Sequence, residues 1–130
     1  MTFFANAPEP APDSEKLPLP ATPKWPEGVW DIEAFRHGTL SVLLFTPRGT
    51  DYQTNHTQDE LYFIIGGSGV FESGAETFEF AEGDVLFVPA GRNHRFQRFS
   101  DDLVTWAVFY GPQGGEEQQQ QNTIQPKEKP

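Results

Sequence analysis

The sequence contains no cysteine, and its four lysines lie close to the two ends, at Lys16, Lys24, Lys127 and Lys129. The absence of cysteine excludes disulfides, thiolate metal sites and thiol nucleophiles. Because the central region also lacks lysine, a buried Schiff-base lysine is not expected. Any chemistry must therefore come from a metal ion or from histidine and carboxylate side chains that act as acids and bases.

Long apolar runs and an excess of positive charge are also missing. No run approaches the roughly 20 apolar residues that cross a membrane, and the N-terminus lacks the basic and apolar parts of a signal peptide, so we expect a cytoplasmic protein. The formal charge of −10 argues against nucleic acids and anionic membranes as partners. A chain of 130 residues with twelve Phe is long enough for one domain with a hydrophobic core.

The two ends of the chain differ in composition from its centre. Residues 1–27 carry seven of the twelve prolines and are predicted to form an extended N-terminal arm. Residues 112–130 are rich in Gly and Gln and are predicted to form a flexible, low-complexity tail. The folded domain is therefore expected at residues 28–111.

The central region alternates short runs of β-branched and aromatic residues with turn residues. Eight strands are predicted, at residues 29–35, 39–46, 61–65, 70–71, 77–80, 85–88, 95–99 and 103–110. Ser73-Gly74 lies between two of these runs and predicts a hairpin. No segment keeps a helical apolar period for three turns. The pattern predicts an all-β fold, either an antiparallel sandwich or a barrel.

Two histidines and one glutamate stand at the ends of predicted strands. His56 and Glu60 precede the third strand, and His94 follows the turn at Pro89-Ala90-Gly91. A short turn after His56 would bring it and Glu60 into a barrel mouth, with Glu60 and Tyr62 on one face of the strand. Two imidazoles and a carboxylate are a sufficient ligand set for a divalent metal. The alternative is that these histidines are hydrogen-bonded structural residues.

These positions carry a resemblance to the two-part motif of the cupin superfamily. The first part reads His-x-His, then Glu and Gly, and is matched here by Thr54, His56, Glu60 and Gly67. The second part reads Gly, Pro-x-Gly, His and Asn, and is matched by Gly83, Pro89, Gly91, His94 and Arg98. Thr54 replaces a metal-binding His, and Arg98 replaces the usual Asn. The resemblance spans roughly residues 39–110.

The resemblance implies the cupin double-stranded β-helix, a jelly-roll barrel in which inward-pointing side chains hold a metal. By position it carries over His56, Glu60 and His94 as ligands of a divalent ion. Fe(II) is favoured, because two histidines and one carboxylate are the ligand set of non-haem iron oxygenases, and Mn, Ni and Zn are the alternatives.

Three functions remain open from the sequence. An oxygenase would take O₂ and a small polar substrate at the open metal positions. An isomerase or lyase would use the metal to polarise a substrate oxygen while a side chain moves a proton. The alternative to both enzymes is a non-catalytic binding or sensor module that uses the same cavity. No catalytic residue is assigned.

Four residues are candidates for contact with a small-molecule ligand: Thr54, Tyr62, Arg98 and Trp106. Tyr62 and Trp106 are equally well explained as core residues. Arg98 follows His94 by four positions, so a regular strand gives both the same parity, and Arg98 could then bind a carboxylate. The alternative for Arg98 is a surface ion pair. Asp59 has the opposite parity to Glu60 and is expected in solvent.

The sequence also predicts a homodimer. A β-sandwich exposes strand edges that need cover, and the resemblance implies a family in which chains commonly pair. The arm and the first predicted strand are suited to cross to a second subunit.

Overall fold

The computed structural model describes residues 14–117, which contain eight β-strands, one 3-10 turn at Ser14–Lys16 and no α-helix. The strands are β1 (Asp31–His37), β2 (Leu40–Phe45), β3 (Asp59–Gly66), β4 (Ser68–Ser73), β5 (Glu76–Ala81), β6 (Val85–Val88), β7 (His94–Phe99) and β8 (Val104–Tyr110). All eight predicted strands are confirmed, and their ends differ from prediction by at most two residues. Within the described range, no helix is long and apolar enough to span a membrane.

The strands form two antiparallel sheets. The larger has the order β1-β2-β8-β3-β6 and the smaller the order β5-β4-β7. The predicted hairpin between β4 and β5 turns at Gly74, whose φ of 61° is accessible to glycine at no steric cost. The all-β jelly-roll predicted from the sequence is thereby confirmed.

The core between the two sheets is mainly aromatic. The ring of Phe96 on β7 lies 4.9 Å from the rings of both Tyr62 and Phe71, in edge-to-face contacts. Glu60, Tyr62 and Ile64 alternate inward along β3, and all three are buried. Glu60 therefore places a buried carboxylate at one end of this core, near the beginning of β3.

Part of the predicted arm lies against the barrel of its own chain. Leu19 forms an antiparallel bridge with Val29, and Trp25 is buried between Phe45 and Tyr52 in edge-to-face contacts. Trp25 thereby anchors this part of the arm to the core of the barrel. The first thirteen residues of the predicted arm lie outside the described range.

The beginning of the predicted tail is hydrogen-bonded to the loop before β3. The Gly114 N–H donates to the Thr57 carbonyl oxygen at 2.6 Å, and the Glu116 N–H donates to Asp59 at 3.0 Å. Asp59 also accepts from the Ala90 N–H at 2.9 Å and is buried. The expectation that Asp59 lies in solvent was wrong, because these two backbone donors compensate its burial. Residues 118–130 of the tail are outside the described range.

Candidate metal centre

Three elements bring His56, Glu60 and His94 together. Glu60 is the second residue of β3 and points inward. His56 lies in the preceding loop, where its carbonyl oxygen accepts a hydrogen bond from the Gly91 N–H at 2.8 Å. His94 is the first residue of β7, on the opposite sheet. The loop before β7 is thus tied to the loop before β3, and this pairing sets the distance between the histidines.

Three donor atoms converge at this point, which we call the triad (His56, Glu60 and His94). The His56 Nε2 lies 2.7 Å from the Glu60 Oε1 and 3.2 Å from the His94 Nε2. The His94 Nε2 lies 3.3 Å from the same Glu60 oxygen. The structure therefore brings the predicted residues together, and their role as metal ligands stays a prediction.

The outer nitrogen of each imidazole faces a backbone carbonyl oxygen. The Nδ1 of His56 lies 2.8 Å from the Gln58 oxygen, and the Nδ1 of His94 lies 2.9 Å from the Arg92 oxygen. A carbonyl oxygen only accepts, so each Nδ1 carries a proton in these contacts. In the neutral ring this leaves the Nε2 with its lone pair, which is how metal-binding histidines are oriented.

The triad geometry fits a divalent transition metal. Bonds of about 2.1 Å to one ion place neighbouring ligand atoms about 3.0 Å apart in an octahedral shell and about 3.4 Å apart in a tetrahedral one. The three observed separations span 2.7–3.3 Å. Among the described residues, this is the group of His and carboxylate side chains whose atoms lie close enough to hold one ion.

Buried negative charge surrounds His94. Burial by itself lowers the His94 pKa, because it penalises the imidazolium. The hydrogen bonds to Glu60 and to the Arg92 carbonyl, with the charges of Glu60 and Asp51, outweigh burial and raise the His94 pKa above its ordinary value. The surroundings of this ring therefore favour a positive charge, as either a proton or a metal ion provides.

A partly buried hydrogen-bond chain connects Tyr62, Gln53 and Asp51 near the triad. The Tyr62 hydroxyl donates to the Gln53 Oε1 at 2.8 Å, and the Gln53 Nε2 donates to Asp51 at 2.6 Å. Asp51 also accepts from the backbone N–H groups of Gln53 and Phe96. Burial, helped by nearby carboxylates, raises the Tyr62 pKa well above its ordinary value, so its hydroxyl stays a donor. Of the two alternatives for Tyr62, the structure places its ring in the core, and contact of Tyr62 with a ligand stays a prediction.

A cavity of about 240 Å³ adjoins the triad on the side of His56 and Glu60. This is the space of about eight water molecules, so it suits a small molecule. Its walls are mixed, because apolar residues such as Phe45, Ala107 and Phe109 share the lining with polar and charged ones. Phe109 packs edge-on against His56 at 4.6 Å. Sequence reasoning named Trp106 on β8 and missed Phe109, which has the opposite strand parity to Trp106.

The mouth of this cavity contains Thr54 and a cation from the arm. The Lys24 Nζ donates to the Thr54 hydroxyl at 3.1 Å, and both side chains line the cavity with Asp31. Burial raises the Asp31 pKa, and the nearby Lys24 charge opposes that effect. Thr54 therefore lies at the predicted position beside the triad, but it is exposed and engaged with Lys24.

Trp106 and Arg98 lie away from the triad. On β8, Ala107 and Phe109 face the cavity, so Trp106 points to the opposite side of the sheet. The β4–β7 register shifts between Val70 and Phe71, and Arg98 follows the resulting irregularity. The predicted shared parity of Arg98 and His94 was wrong, because a bulge adds one residue and reverses the facing. Arg98 instead lines a separate surface depression.

The fold and the triad agree with the family comparison. Residues 41–110, more than half of the chain, match the cupin domain family Cupin_2. The chain therefore belongs to the cupin family, and the resemblance found in the sequence is confirmed.

Individual relatives support the same assignment. The chain is 44% identical over 84 residues to an uncharacterized protein of Streptomyces coelicolor, covering 63% of this chain and 80% of that protein. It is 32% identical over 92 residues to an acireductone dioxygenase of Geobacillus thermodenitrificans, covering 65% of this chain and 51% of the dioxygenase. The chain thus spans about half of that enzyme's length.

The fold is similar to a cupin 2 conserved barrel domain protein from Salinispora arenicola, with a TM-score of 0.54 and 17% identity. That match covers 62% of this chain and 74% of the other. At this identity the similarity supports the fold alone.

Proposed function

We propose that the chain is a small metal-dependent enzyme in which His56, Glu60 and His94 hold a divalent transition metal. A small polar molecule would react in the adjoining cavity. Dioxygenase chemistry is the favoured reaction class, because two histidines and one carboxylate form the ligand set of non-haem Fe(II) oxygenases. The 32% identity to an acireductone dioxygenase supports the same class. Fe(II) as the metal and the cytoplasm as the compartment stay predictions.

One observation carries this proposal. The two Nε2 atoms and a Glu60 oxygen meet within 3.3 Å, while both Nδ1 atoms face backbone carbonyls. Three acceptor atoms at this separation repel one another unless a cation lies between them. A divalent ion bound there supplies Lewis acidity and, if it is iron, access to O₂ chemistry.

The remaining residues of the site would position the substrate and limit access by water. Phe109 fixes the His56 ring from one side, and Phe45 contributes a second apolar wall. Gln53 is held by Tyr62 and Asp51, so its side chain presents a fixed polar surface to the cavity. A small polar molecule with oxygen donors at the end near the triad matches this mixed lining.

The test combines metal content with O₂ uptake. Protein purified without chelator, and after loading with Fe(II), is expected to hold one ion per chain by elemental analysis. His94→Ala should lose that ion, and His37→Ala, a change in an exposed histidine on β1, should keep it. O₂ uptake with a panel of small polar compounds then separates an oxygenase from an isomerase or lyase. Equal metal content in both variants would contradict the assigned ligands.

The second candidate is a non-catalytic binding or sensor module. The His56 Nε2 and the Glu60 Oε1, 2.7 Å apart, can also share a proton in a hydrogen bond. That hydrogen bond would hold the triad together without metal. Thr54 stands where the cupin motif has a fourth ligand, and a hydroxyl is a weaker donor than imidazole. Unchanged thermal stability in a strong chelator, with retained binding of a small molecule, would favour this candidate.

A further inference from the structure

A carboxylate outside the triad also lines the cavity. Asp31 is the first residue of β1 and is paired with Phe45 of β2. Directly opposed residues of antiparallel strands point to the same side of a sheet, and Phe45 is buried in the core. The Asp31 side chain therefore points inward, and it lines the same cavity as His56 and Glu60.

The fold leaves the Asp31 carboxylate without a hydrogen-bond donor in the part of the chain that the structure describes. Asp51 and Asp59 are also buried carboxylates outside the triad, but each accepts from two backbone N–H groups. Buried polar groups are normally hydrogen-bonded, so Asp51 and Asp59 are explained by the fold. Asp31 is half-buried, and its oxygen atoms are open to a molecule in the cavity.

The groups around Asp31 act on its pKa in opposite directions. Burial raises the Asp31 pKa above the ordinary 3.8, and the positive charge of Lys24 partly opposes this. Lys24 donates to the neutral Thr54 hydroxyl and forms no ion pair within 4.0 Å among the described residues. A carboxyl group whose pKa moves towards neutral pH is a better proton acceptor and donor at that pH.

Few other charged groups face Asp31. On β2, the residues that line the cavity are the neutral Leu43 and Phe45. Across the cavity lie the residues of the triad, and the arm contributes Lys24. The next acidic residue of β1, Glu33, is exposed and forms an ion pair with Arg36 at 2.7 Å. Glu33 does not line the cavity, so it offers a control for Asp31.

A molecule that binds at the triad through a hydroxyl oxygen has to lose the hydroxyl proton. Glu60 supplies one negative charge against the two positive charges of a divalent ion, so an anionic oxygen is favoured as a further ligand. Both imidazoles already carry a proton on Nδ1 and use Nε2 towards the ion. Among the described residues that line the cavity, Asp31 is the ionisable group that remains able to accept the proton, because Lys24 is a cation.

We propose that Asp31 is the proton acceptor of the site, for a small molecule whose hydroxyl is one atom from a carbonyl group. Two neighbouring oxygens of this kind suit the open positions beside the triad. The ligand O–H bond breaks, its electron pair stays on the ligand oxygen, and the proton forms an O–H bond with an Asp31 carboxylate oxygen. The cavity holds about eight water molecules, so one small molecule can contact both the triad and Asp31. This role of Asp31 rests on the proposed function, because the ligand oxygen is held at the triad by the metal.

The test counts the protons that are released when acetohydroxamic acid, which has such a hydroxyl, binds to Zn(II)-loaded protein. Calorimetric titration in buffers of different ionisation enthalpy gives this number. Near pH 6 the wild type should release about one proton fewer per site than Asp31→Asn, because Asp31 retains the proton. The difference should shrink as pH rises and the carboxyl group of the complex loses its proton to the buffer. Glu33→Gln is the matched control and should release as many protons as the wild type.

Metal content of the same samples separates this role from the proposed function. One ion per chain in every protein, with equal proton counts in wild type and Asp31→Asn, would overturn the role of Asp31 alone. Equal changes in Asp31→Asn and Glu33→Gln would overturn it as well. Chains that hold no ion would overturn the proposed function together with this role.

Infrared difference spectra of the Zn(II)-loaded wild type give a second readout that needs no variant, so they decide the matter if Asp31→Asn does not fold. Acetohydroxamic acid should produce the carbonyl band of a protonated carboxyl group. Binding without that band would show that the proton leaves to solvent and would overturn the role of Asp31. Failure of acetohydroxamic acid to bind would overturn the proposed class of ligand.

Discussion

The Nε2 atoms of His56 and His94 lie 3.2 Å apart, while the Nδ1 of each ring faces a backbone carbonyl oxygen. The backbone thereby orients both rings so that their lone pairs point at each other and at Glu60. Such an arrangement is stable only with a cation in its centre, either a metal ion or a proton. Removal of the carboxylate is therefore the most direct test of which cation the triad holds.

We expect Glu60→Gln to lower metal affinity by at least about tenfold, and Thr54→Ala to change it little. Glu60 supplies the only negative charge of the triad, and glutamine keeps its shape without compensating a divalent ion. Thr54 has a neutral hydroxyl that is engaged with Lys24. Thr54→His should raise affinity, because it restores the first histidine of the His-x-His motif and with it a fourth ligand. The measurement is metal per chain after equal dialysis of all four proteins.

Unchanged occupancy in Glu60→Gln would mean that the metal is held elsewhere or not at all. The non-catalytic binding module would then be the better explanation of the cavity.

A second prediction concerns the arm. Trp25→Ala should lower the free energy of unfolding by about 3–5 kcal/mol, because it leaves a cavity between Phe45 and Tyr52. Phe78→Ala removes a residue that is already half exposed and should cost only about 1 kcal/mol. Urea unfolding of both variants makes the comparison. Equal small losses would indicate that the arm is dispensable for the fold.

The fold was largely predictable from the sequence because β-strands leave local signals. The β-rich runs and the turn at Ser73-Gly74 reproduced all eight strands, and the positions of His56, Glu60 and His94 in the motif indicated the triad. These features depend on residue type and spacing within one segment, which a single sequence contains.

Features that depend on distant contacts could not be predicted. The bulge before Arg98 is visible only from the shifted pairing of β7 with β4. The burial of Asp59 depends on donors from Ala90 and Glu116, and the second of these is 57 positions away. Lys24 reaches the cavity because Trp25 anchors the arm, and no local pattern in a proline-rich segment indicates that docking.

A third prediction uses the buried carboxylate of Asp51. Burial raises its pKa above the ordinary 3.8, although hydrogen bonds from Gln53 and Phe96 oppose this. The folded state therefore holds this proton more tightly than the unfolded chain. The resulting stability is fully present below pH 3.8 and is lost as pH rises through the raised pKa.

Asp51→Asn removes this titration and keeps an oxygen that can accept from the Phe96 N–H. The free energy of unfolding of the wild type, minus that of Asp51→Asn, should therefore fall as pH rises from about 3 and become constant towards pH 7. Urea unfolding across this range gives the difference directly. An increase with pH would mean that the hydrogen bonds outweigh burial and that the folded-state pKa is depressed.

The last prediction concerns which positively charged side chain, Lys24 or Arg98, binds an anionic ligand. Lys24 lines the cavity mouth, whereas Arg98 lies beyond the bulge on another surface. Lys24→Gln should therefore weaken the binding of malonate to metal-loaded protein, and Arg98→Gln should not. Lys24 is exposed and lies near Asp31, so the loss of affinity should be modest, about two- to fivefold.

Calorimetric titration measures the affinity, and metal content should be equal in both variants because neither side chain belongs to the triad. A larger loss in Arg98→Gln would mean that the ligand binds outside the cavity beside the triad, on the surface of the smaller sheet.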